Sequence, residues 1–186
     1  MRELSLNVMD IVQNSISAGA GLVEIAVEED KSQKKLSISV MDNGKGMSAQ
    51  QLENVTNPFF TTRTTRNVGL GIPLFKMEAE MTGGNFTIDS ELGKGTSLKA
   101  VFCTDSVDMI PLGDINGIIH LLVTCNPDMD FKFTRAVTEE TEQAFIMDTR
   151  ELKEALGGEV SLAEPDVVFW IKEYLQEQTQ GIGLQY

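Results

Sequence analysis

The N-terminal segment has the apolar spacing of an amphipathic helix. Leu4, Val8 and Ile11 recur at steps of three or four residues, which predicts a helix over residues 2–18 with one buried side. Ser15 or Ile16 continues that side. The other side is polar, and its members are Glu3, Asn7, Asp10, Asn14 and Ser17. Glycines directly after this segment are expected to end the helix.

The segments that follow alternate between apolar and polar positions, as strands do. Leu22–Glu29 and residues 36–40 predict two neighbouring strands. Ser48-Ala-Gln-Gln51 has the pattern of a capping box and predicts a short helix. Asn57–Val68 has little apolar periodicity and is interpreted as a mobile loop.

A third helix and two further strands are predicted before residue 104. Gly69-Leu-Gly-Ile-Pro73 opens a helix to about Thr82, with Pro73 tolerated in its first turn. Phe86–Asp89 and Ser97–Phe102 are predicted strands joined by the turn around Gly93-Lys-Gly95.

The character of the sequence changes after about Thr104. Val107–Gly113 is interpreted as a linker or an extended crossing segment, and Asp114 as the cap of a helix, although the apolar run behind it also fits a buried strand. Two strands and two helices are expected further on, at 131–137, 144–147, 149–156 and 166–178. We therefore predict a first domain over residues 1–104 and a small α+β C-terminal appendage over residues 105–186, with a regulatory or partner-binding role.

Composition limits the partners and the location. The 186 residues carry 15 basic and 28 acidic side chains, a net charge of −13 that disfavours binding to nucleic acid. No apolar run is long enough to span a membrane, so a cytoplasmic protein without a membrane partner is expected. The two cysteines lack C-x-x-C spacing and are expected to be reduced thiols.

Asp10 and Asn14 are candidate catalytic and metal-binding residues. They lie one helical turn apart and project from the same side. The amide oxygen of Asn14 suits Mg²⁺, which needs only one or two protein ligands when phosphates and waters supply the rest. Asp10 could then act as a general base toward an acceptor hydroxyl or a water. The alternative is that both residues belong to the solvated side of a surface helix.

Asp42 is a candidate residue for recognition of a nucleotide base. It follows a strand and precedes Gly44 and Gly46, which allow a tight turn and a close approach, and Met47 could pack on a ring. A carboxylate accepts hydrogen bonds, and adenine offers an exocyclic amine as donor. A plain Asp-Asn-Gly turn is the alternative interpretation.

Two further glycine segments add to the candidate site. Gly69, Leu70 and Gly71 open a helix after a basic loop that carries Arg63, and N–H groups at such a start bind anions. Thr96, after Gly95, would bring a hydroxyl toward the adenine end. A flexible loop before an ordinary helix, and a simple hairpin turn, are the respective alternatives.

Together these segments resemble the GHKL superfamily of ATP-binding domains, which includes gyrase, heat-shock chaperones, histidine kinases and MutL proteins. Asp10–Asn14 is similar to its N box, Asp42–Gly46 to its G1 box, Asn57–Arg63 to its F box, Gly69–Gly71 to its G2 box and Gly93–Thr96 to its late Gly-x-Gly-Thr element. The resemblance implies a two-layer α/β sandwich of the GHKL (Bergerat) type over residues 1–104. It also implies ATP and Mg²⁺ as ligands, with Thr61, Thr62 and Arg63 among the nucleotide-binding residues.

The resemblance is compatible with three alternative functions. The lid order is closest to histidine kinases and anti-sigma serine kinases, which implies a standalone catalytic domain that phosphorylates or regulates a partner protein. An ATP-gated interaction module with slow or no hydrolysis is the second, and a MutL-like ATPase the third. The single histidine, His120, lies in an apolar run and is expected to be structural, so the acceptor is expected on a partner protein, with a homodimer as a further option.

Overall fold

The computed structural model describes residues 3–55, 71–158 and 160–184. Its helices are α1 Leu4–Ser17, α2 Ala49–Val55, α3 Gly71–Met81, α4 Ile115–Cys125, α5 Thr149–Ala155 and α6 Pro165–Gly181. Its strands are β1 Leu22–Asp30, β2 Lys35–Asp42, β3 Asn85–Glu91, β4 Gly95–Cys103, β5 Asp130–Thr138 and β6 Glu142–Asp148. The interpretation of Asn57–Val68 as a mobile loop concerns residues outside the described ranges.

The strands form one mixed sheet in the order β3-β4-β2-β1-β5-β6. Every neighbouring pair is antiparallel except β1 and β5, which run parallel along their whole length from Leu22↔Asp130 to Asp30↔Thr138. Parallel neighbours need a crossover connection. Here α4 lies in that connection, between β4 and β5.

The two faces of the sheet differ because side chains alternate along each strand. The inner face carries the apolar set, which includes Val23, Ile25 and Val27 on β1 and Ile38 on β2, all nearly or fully buried. The outer face is polar, and its ion pairs join Lys132 to Glu24 and Lys99 to Glu28. The predicted two-layer α+β sandwich is confirmed, with the inner face as the centre of the core.

Helices α1, α3 and α4 supply the second layer. Leu4, Val8 and Val12 bury the apolar side of α1, as the spacing predicts. Phe75 fixes α3 through its ring, which lies 5.4 Å from the ring of Phe102 on β4. Burial of one such aromatic side chain contributes about 2–3 kcal/mol.

Local chemistry sets the ends of several elements. Gly19, at φ 73°, ends α1 in a Schellman arrangement, in which Ala20 N–H donates to the Ser15 carbonyl and Gly19 N–H to that of Ile16. Ser48 and Gln51 form the predicted capping box, each side chain accepting from the other's backbone N–H. The ambiguous run after Asp114 is a helix, and the Asp114 carboxylate caps it by accepting from Gly117 N–H.

The C-terminal region contributes two strands to the same sheet as the first hundred residues. β5 and β6 extend the sheet beyond β1, and α6 packs against α4, where His120 Nε2 lies 2.9 Å from the Val168 carbonyl oxygen. The sheet therefore contains strands from both sides of the predicted boundary at residue 104. The sequence does not reveal this, because a parallel pairing of distant segments leaves no local pattern. The regulatory role of this region stays a prediction.

None of the helices in the described ranges combines the length and apolarity needed to cross a membrane.

Candidate functional site

The inner face of the sheet becomes polar at one end. Asp42 on β2 lies opposite Thr96 on β4, and Thr96 lies opposite Ser90 on β3. Side chains of directly opposed residues share a face of the sheet. Three polar side chains therefore stand side by side where the neighbouring rows, such as Val40 and Leu98, are apolar and buried.

The Asp42 carboxylate is held on both of its oxygens. The Ser15 hydroxyl on α1 donates to Oδ2 at 2.7 Å, and Gly44 N–H donates to Oδ1 at 2.9 Å. Ser15 is buried, while Asp42 stays partly exposed. Each carboxylate oxygen keeps acceptor capacity toward the open side. The predicted Asp42 position is thus an oriented hydrogen-bond acceptor at the end of the sheet.

Two loops interlock next to Asp42, the first loop being residues 42–47 and the second loop residues 91–96. A Cβ on Gly46 would lie 2.0 Å from the Glu91 carbonyl oxygen, and one on Gly95 would lie 1.9 Å from that of Asp42. Both glycines have positive φ, at 63° and 116°. The two loops pass each other at backbone contact, which only glycine permits.

Ser90 joins the two loops by hydrogen bonds. Its Oγ accepts from Met47 N–H at 2.9 Å, lies 2.8 Å from the Gly95 carbonyl oxygen and lies 2.9 Å from Thr96 Oγ1. Gly93 N–H adds a backbone hydrogen bond to the Lys45 carbonyl at 2.8 Å. The loops that carry Asp42, Met47 and Thr96 therefore form one connected unit.

Helix α1 connects this unit to the start of α3. At its C-terminal end, Ala18 packs against Gly44, whose added Cβ would lie 3.0 Å from the Ala18 Cβ. Near its middle, a Cβ on Gly71 would lie 3.0 Å from the Asp10 Cβ. Asp10 and Ala18 are separated by about 12 Å along the helix axis. Asn14 lies between them.

The start of α3 thus faces an exposed carboxylate. Asp10 is exposed and Asn14 partly exposed, and the Asn7 amide donates to Glu78 further along the contact between α1 and α3. The backbone N–H groups of a helix's first turn have no partner inside the helix and favour anions. An anion at this helix start would lie beside Asp10.

The structure brings together most of the predicted site residues that it describes. Asp10 and Gly71 meet where α1 contacts α3, Asn14 lies one turn further along α1, and the remainder lie on the interlocked loops: Asp42, Gly44, Gly46, Met47 and Thr96. The other predicted ligand-binding residues, Thr61, Thr62, Arg63, Gly69 and Leu70, lie outside the described residues.

Three polar residues that shape the site are not among the predicted ones. Ser15 and Ser90 are described above, and the Asn43 Oδ1 accepts from the N–H groups of Gly21 and Leu22, which ties the first loop to the turn after α1. Ser15 carries a usable signal, since a hydroxyl on the apolar side of a helix needs a partner. Ser90 and Asn43 carry none, because their partners depend on strand register and loop packing.

Comparison with known families identifies the domain. The family model described as histidine kinase-, DNA gyrase B-, and HSP90-like ATPase matches residues 2–106, more than half of the chain. The chain belongs to this family. The matched segment contains every element of the candidate site, from Asp10 to Thr96.

The relatives among characterised proteins include bacterial sensor kinases. The sensor kinase CckA of Brucella abortus is 31% identical over 150 positions, which cover 69% of this chain and 16% of that protein. The sensor histidine kinase ZraS of Escherichia coli K12 is 34% identical, with coverages of 48% and 19%. Sporulation kinase C of Bacillus subtilis is 30% identical, with coverages of 50% and 22%. The chain spans less than a quarter of the length of each of these relatives.

A solved structure supports the fold assignment. The N-terminal domain of a DNA repair protein superposes with a TM-score of 0.54 at 14% identity, covering 77% of this chain and 52% of that one. At this identity the likeness concerns the fold alone.

The chain therefore contains an ATP-binding, kinase-like domain of the histidine kinase-, DNA gyrase B- and HSP90-like ATPase family. The geometry fits the nucleotide. An oriented acceptor stands near the C-terminal end of α1 and the start of α3 lies against its middle, and the close-packed glycines leave the loops without side chains between them. The predicted MutL-like alternative receives no support from the net charge of −13.

Proposed function

We propose that this protein binds ATP with Mg²⁺ and transfers the γ-phosphoryl group to a partner protein. The observation that carries the proposal is the contact of Gly71, at the start of α3, with Asp10 on α1. This contact supports the proposal because a helix start favours phosphate, and an exposed carboxylate beside it could act as a base. The sensor kinases among the relatives support the same chemistry.

In this proposal, different side chains would recognise the adenine end and the phosphate end of ATP. Asp42 would accept from the adenine amine, with its carboxylate fixed by Ser15 and Gly44. Asn14 lies on α1 between Asp10 and Ser15, the hydrogen-bond partner of Asp42, and would offer its amide oxygen to Mg²⁺. When bound, Mg²⁺ neutralises charge on the phosphates.

Asp10 would accept the proton of the attacking group on the partner. The acceptor atom forms a bond to the γ-phosphorus, its proton moves to the Asp10 carboxylate, and the bond from that phosphorus to the bridging oxygen breaks to release ADP. A positioned base of this kind typically contributes a factor of about 10²–10⁴ in rate. The exposure of Asp10 leaves room for an incoming protein side chain.

The test compares Asp10→Asn with the unmodified protein in a mixture of γ-³²P-ATP, Mg²⁺ and soluble proteins from the source cells. Labelled protein bands and released inorganic phosphate are both measured, with EDTA as a metal-free arm. We expect label on a partner with the unmodified protein, loss of at least about 100-fold with Asp10→Asn, and ATP affinity changed by less than about 10-fold.

Asp108→Asn is the matched control, because Asp108 is an exposed aspartate on the segment between β4 and α4. It should transfer label like the unmodified protein. Label transfer by Asp10→Asn at the unmodified rate would refute the role of Asp10. ATP binding with no label on any protein would refute the kinase proposal.

A second candidate function is an ATP-gated interaction module. It is favoured by the contact between α1 and the segment before α4, in which Leu4 and Ser5 N–H donate to the carbonyls of Pro111 and Leu112. A shift of α1 on nucleotide binding would then reach residues 105–186 directly. In the same experiment, partner capture that depends on ATP and survives Asp10→Asn would support this function over phosphotransfer.

A further inference from the structure

Hydrogen-bond counting at Ser90 determines the direction of the Thr96 hydroxyl. A serine hydroxyl donates one hydrogen bond and accepts two. Ser90 Oγ accepts from Met47 N–H at 2.9 Å, and the Gly95 carbonyl oxygen, at 2.8 Å, can only accept. The single Ser90 proton is therefore used on Gly95. The remaining contact, 2.9 Å to Thr96 Oγ1, must be donated by Thr96.

The hydroxyl proton of Thr96 therefore points toward Ser90 on β3, away from Asp42 on β2. Its oxygen keeps lone pairs and lies opposite Asp42, whose carboxylate oxygens also accept only. The end of the inner face then presents acceptors from two neighbouring strands. A purine with an amine at position 6 can donate to such a pair, whereas a 6-oxopurine places the lone pairs of its carbonyl against these acceptors and keeps only its N1–H as a donor on that edge.

We propose that Ser90 is a positioning residue for base selection, which holds Thr96 as an acceptor and so helps the site prefer adenine over 6-oxopurines. The inference rests on the proposed nucleotide site and deepens it. Ser90 acts through Thr96 and through the two loops it joins, without itself contacting the base.

The test measures the affinities of ATP and ITP, which differ only at position 6 and the adjacent N1. Titration calorimetry on the full chain is carried out for the unmodified protein, Ser90→Ala and Ser90→Thr. Ser97→Ala is the matched control, since Ser97 is an exposed serine on β4 that points to the outer face. Thermal unfolding of each variant is recorded in parallel.

We expect the unmodified protein and Ser97→Ala to prefer ATP over ITP by about 10- to 100-fold, because the 6-carbonyl of ITP leaves these acceptors unpaired. Ser90→Ala frees the Thr96 hydroxyl to rotate and should reduce that preference by about 10-fold, from a weaker ATP affinity and an unchanged or stronger ITP affinity. Ser90→Thr keeps the hydroxyl and should retain the preference.

An equal loss of affinity for both nucleotides in Ser90→Ala would mean that Ser90 only supports the loops, and would overturn the inference. Thr96→Val decides the case if Ser90→Ala does not fold, because it leaves the bonds of Ser90 to Met47 and Gly95 in place. An unchanged ATP-to-ITP ratio in Thr96→Val also overturns the inference. Failure of the unmodified protein to bind ATP would instead refute the proposed function itself.

Discussion

Replacing Gly46 by alanine should disrupt the site by moving backbone against backbone. The new Cβ would lie 2.0 Å from the Glu91 carbonyl oxygen, and Cβ contacts under 3.0 Å do not occur in proteins. One of the two loops must therefore shift by about 1 Å, and overpacking of this size costs about 1–3 kcal/mol. The positive φ of 63° adds about 1–2 kcal/mol for any residue with a Cβ.

Gly93→Ala is the matched control for the backbone conformation. Gly93 lies in the second loop at φ 78°, and an added Cβ there would meet nothing within 4 Å. It should cost only the conformational part, about 1–2 kcal/mol. The difference between the two variants isolates the contact between the loops.

Thermal unfolding and ATP titration check this reasoning together. Gly46→Ala should unfold at least about 2–4 °C below Gly93→Ala, which corresponds to about 1 kcal/mol in a protein of this size. It should also bind ATP more weakly by about 10-fold or more, because Glu91 and Gly95 hold Thr96 beside Asp42. Equal melting temperatures and equal ATP affinities in the two variants would refute the interlocked arrangement of the loops.

Two other predictions concern the C-terminal region. The hydrogen bonds from the Arg150 side chain lower the pKa of Asp148, so this pair stabilises the fold above about pH 4, the usual pKa of an unfolded aspartate, and is lost as the pH falls through the lower folded value. Asp148→Asn should cost about 0.5 kcal/mol at pH 7 by urea unfolding, and this cost should shrink as the pH falls below about 4; a cost that does not change with pH would contradict the assignment. A chain ending at residue 104 should lose ATP binding and cooperative unfolding, since it lacks β5; a truncated protein that binds ATP within about threefold of the full chain would show that residues 105–186 are dispensable.

Local patterns predicted the elements, whereas distant contacts decided how the site is assembled. The spacing of Leu4, Val8 and Ile11, the capping box at Ser48 and the alternation in β1 each depend on neighbours in the chain, and each is confirmed. The run after Asp114 stayed ambiguous because a helix and a buried strand are equally apolar there.

Local sequence patterns could not predict the contacts of Ser90 or the pairing of β1 with β5. Ser90 meets Met47 across 43 positions of sequence, and Ile25 lies opposite Phe133 in a parallel register. Both depend on strand register, because a shift of one residue would move every side chain of the strand to the other face of the sheet. Type and spacing of residues predict a candidate site, and strand register determines which hydroxyls complete it.

Helix α1 connects the candidate site to the C-terminal region. Helix α1 contacts α3 through Gly71, and it also contacts α4. Its first N–H groups are bound by carbonyls of residues 111 and 112, and the side chain of Glu3 contributes no cap. Those donors would otherwise be left to water at a helix start. The position of Asp10, Asn14 and Ser15 relative to Asp42 therefore depends on residues beyond the family segment, which ends at residue 106. For this reason, truncation at residue 104 should abolish nucleotide binding rather than only remove a regulatory part.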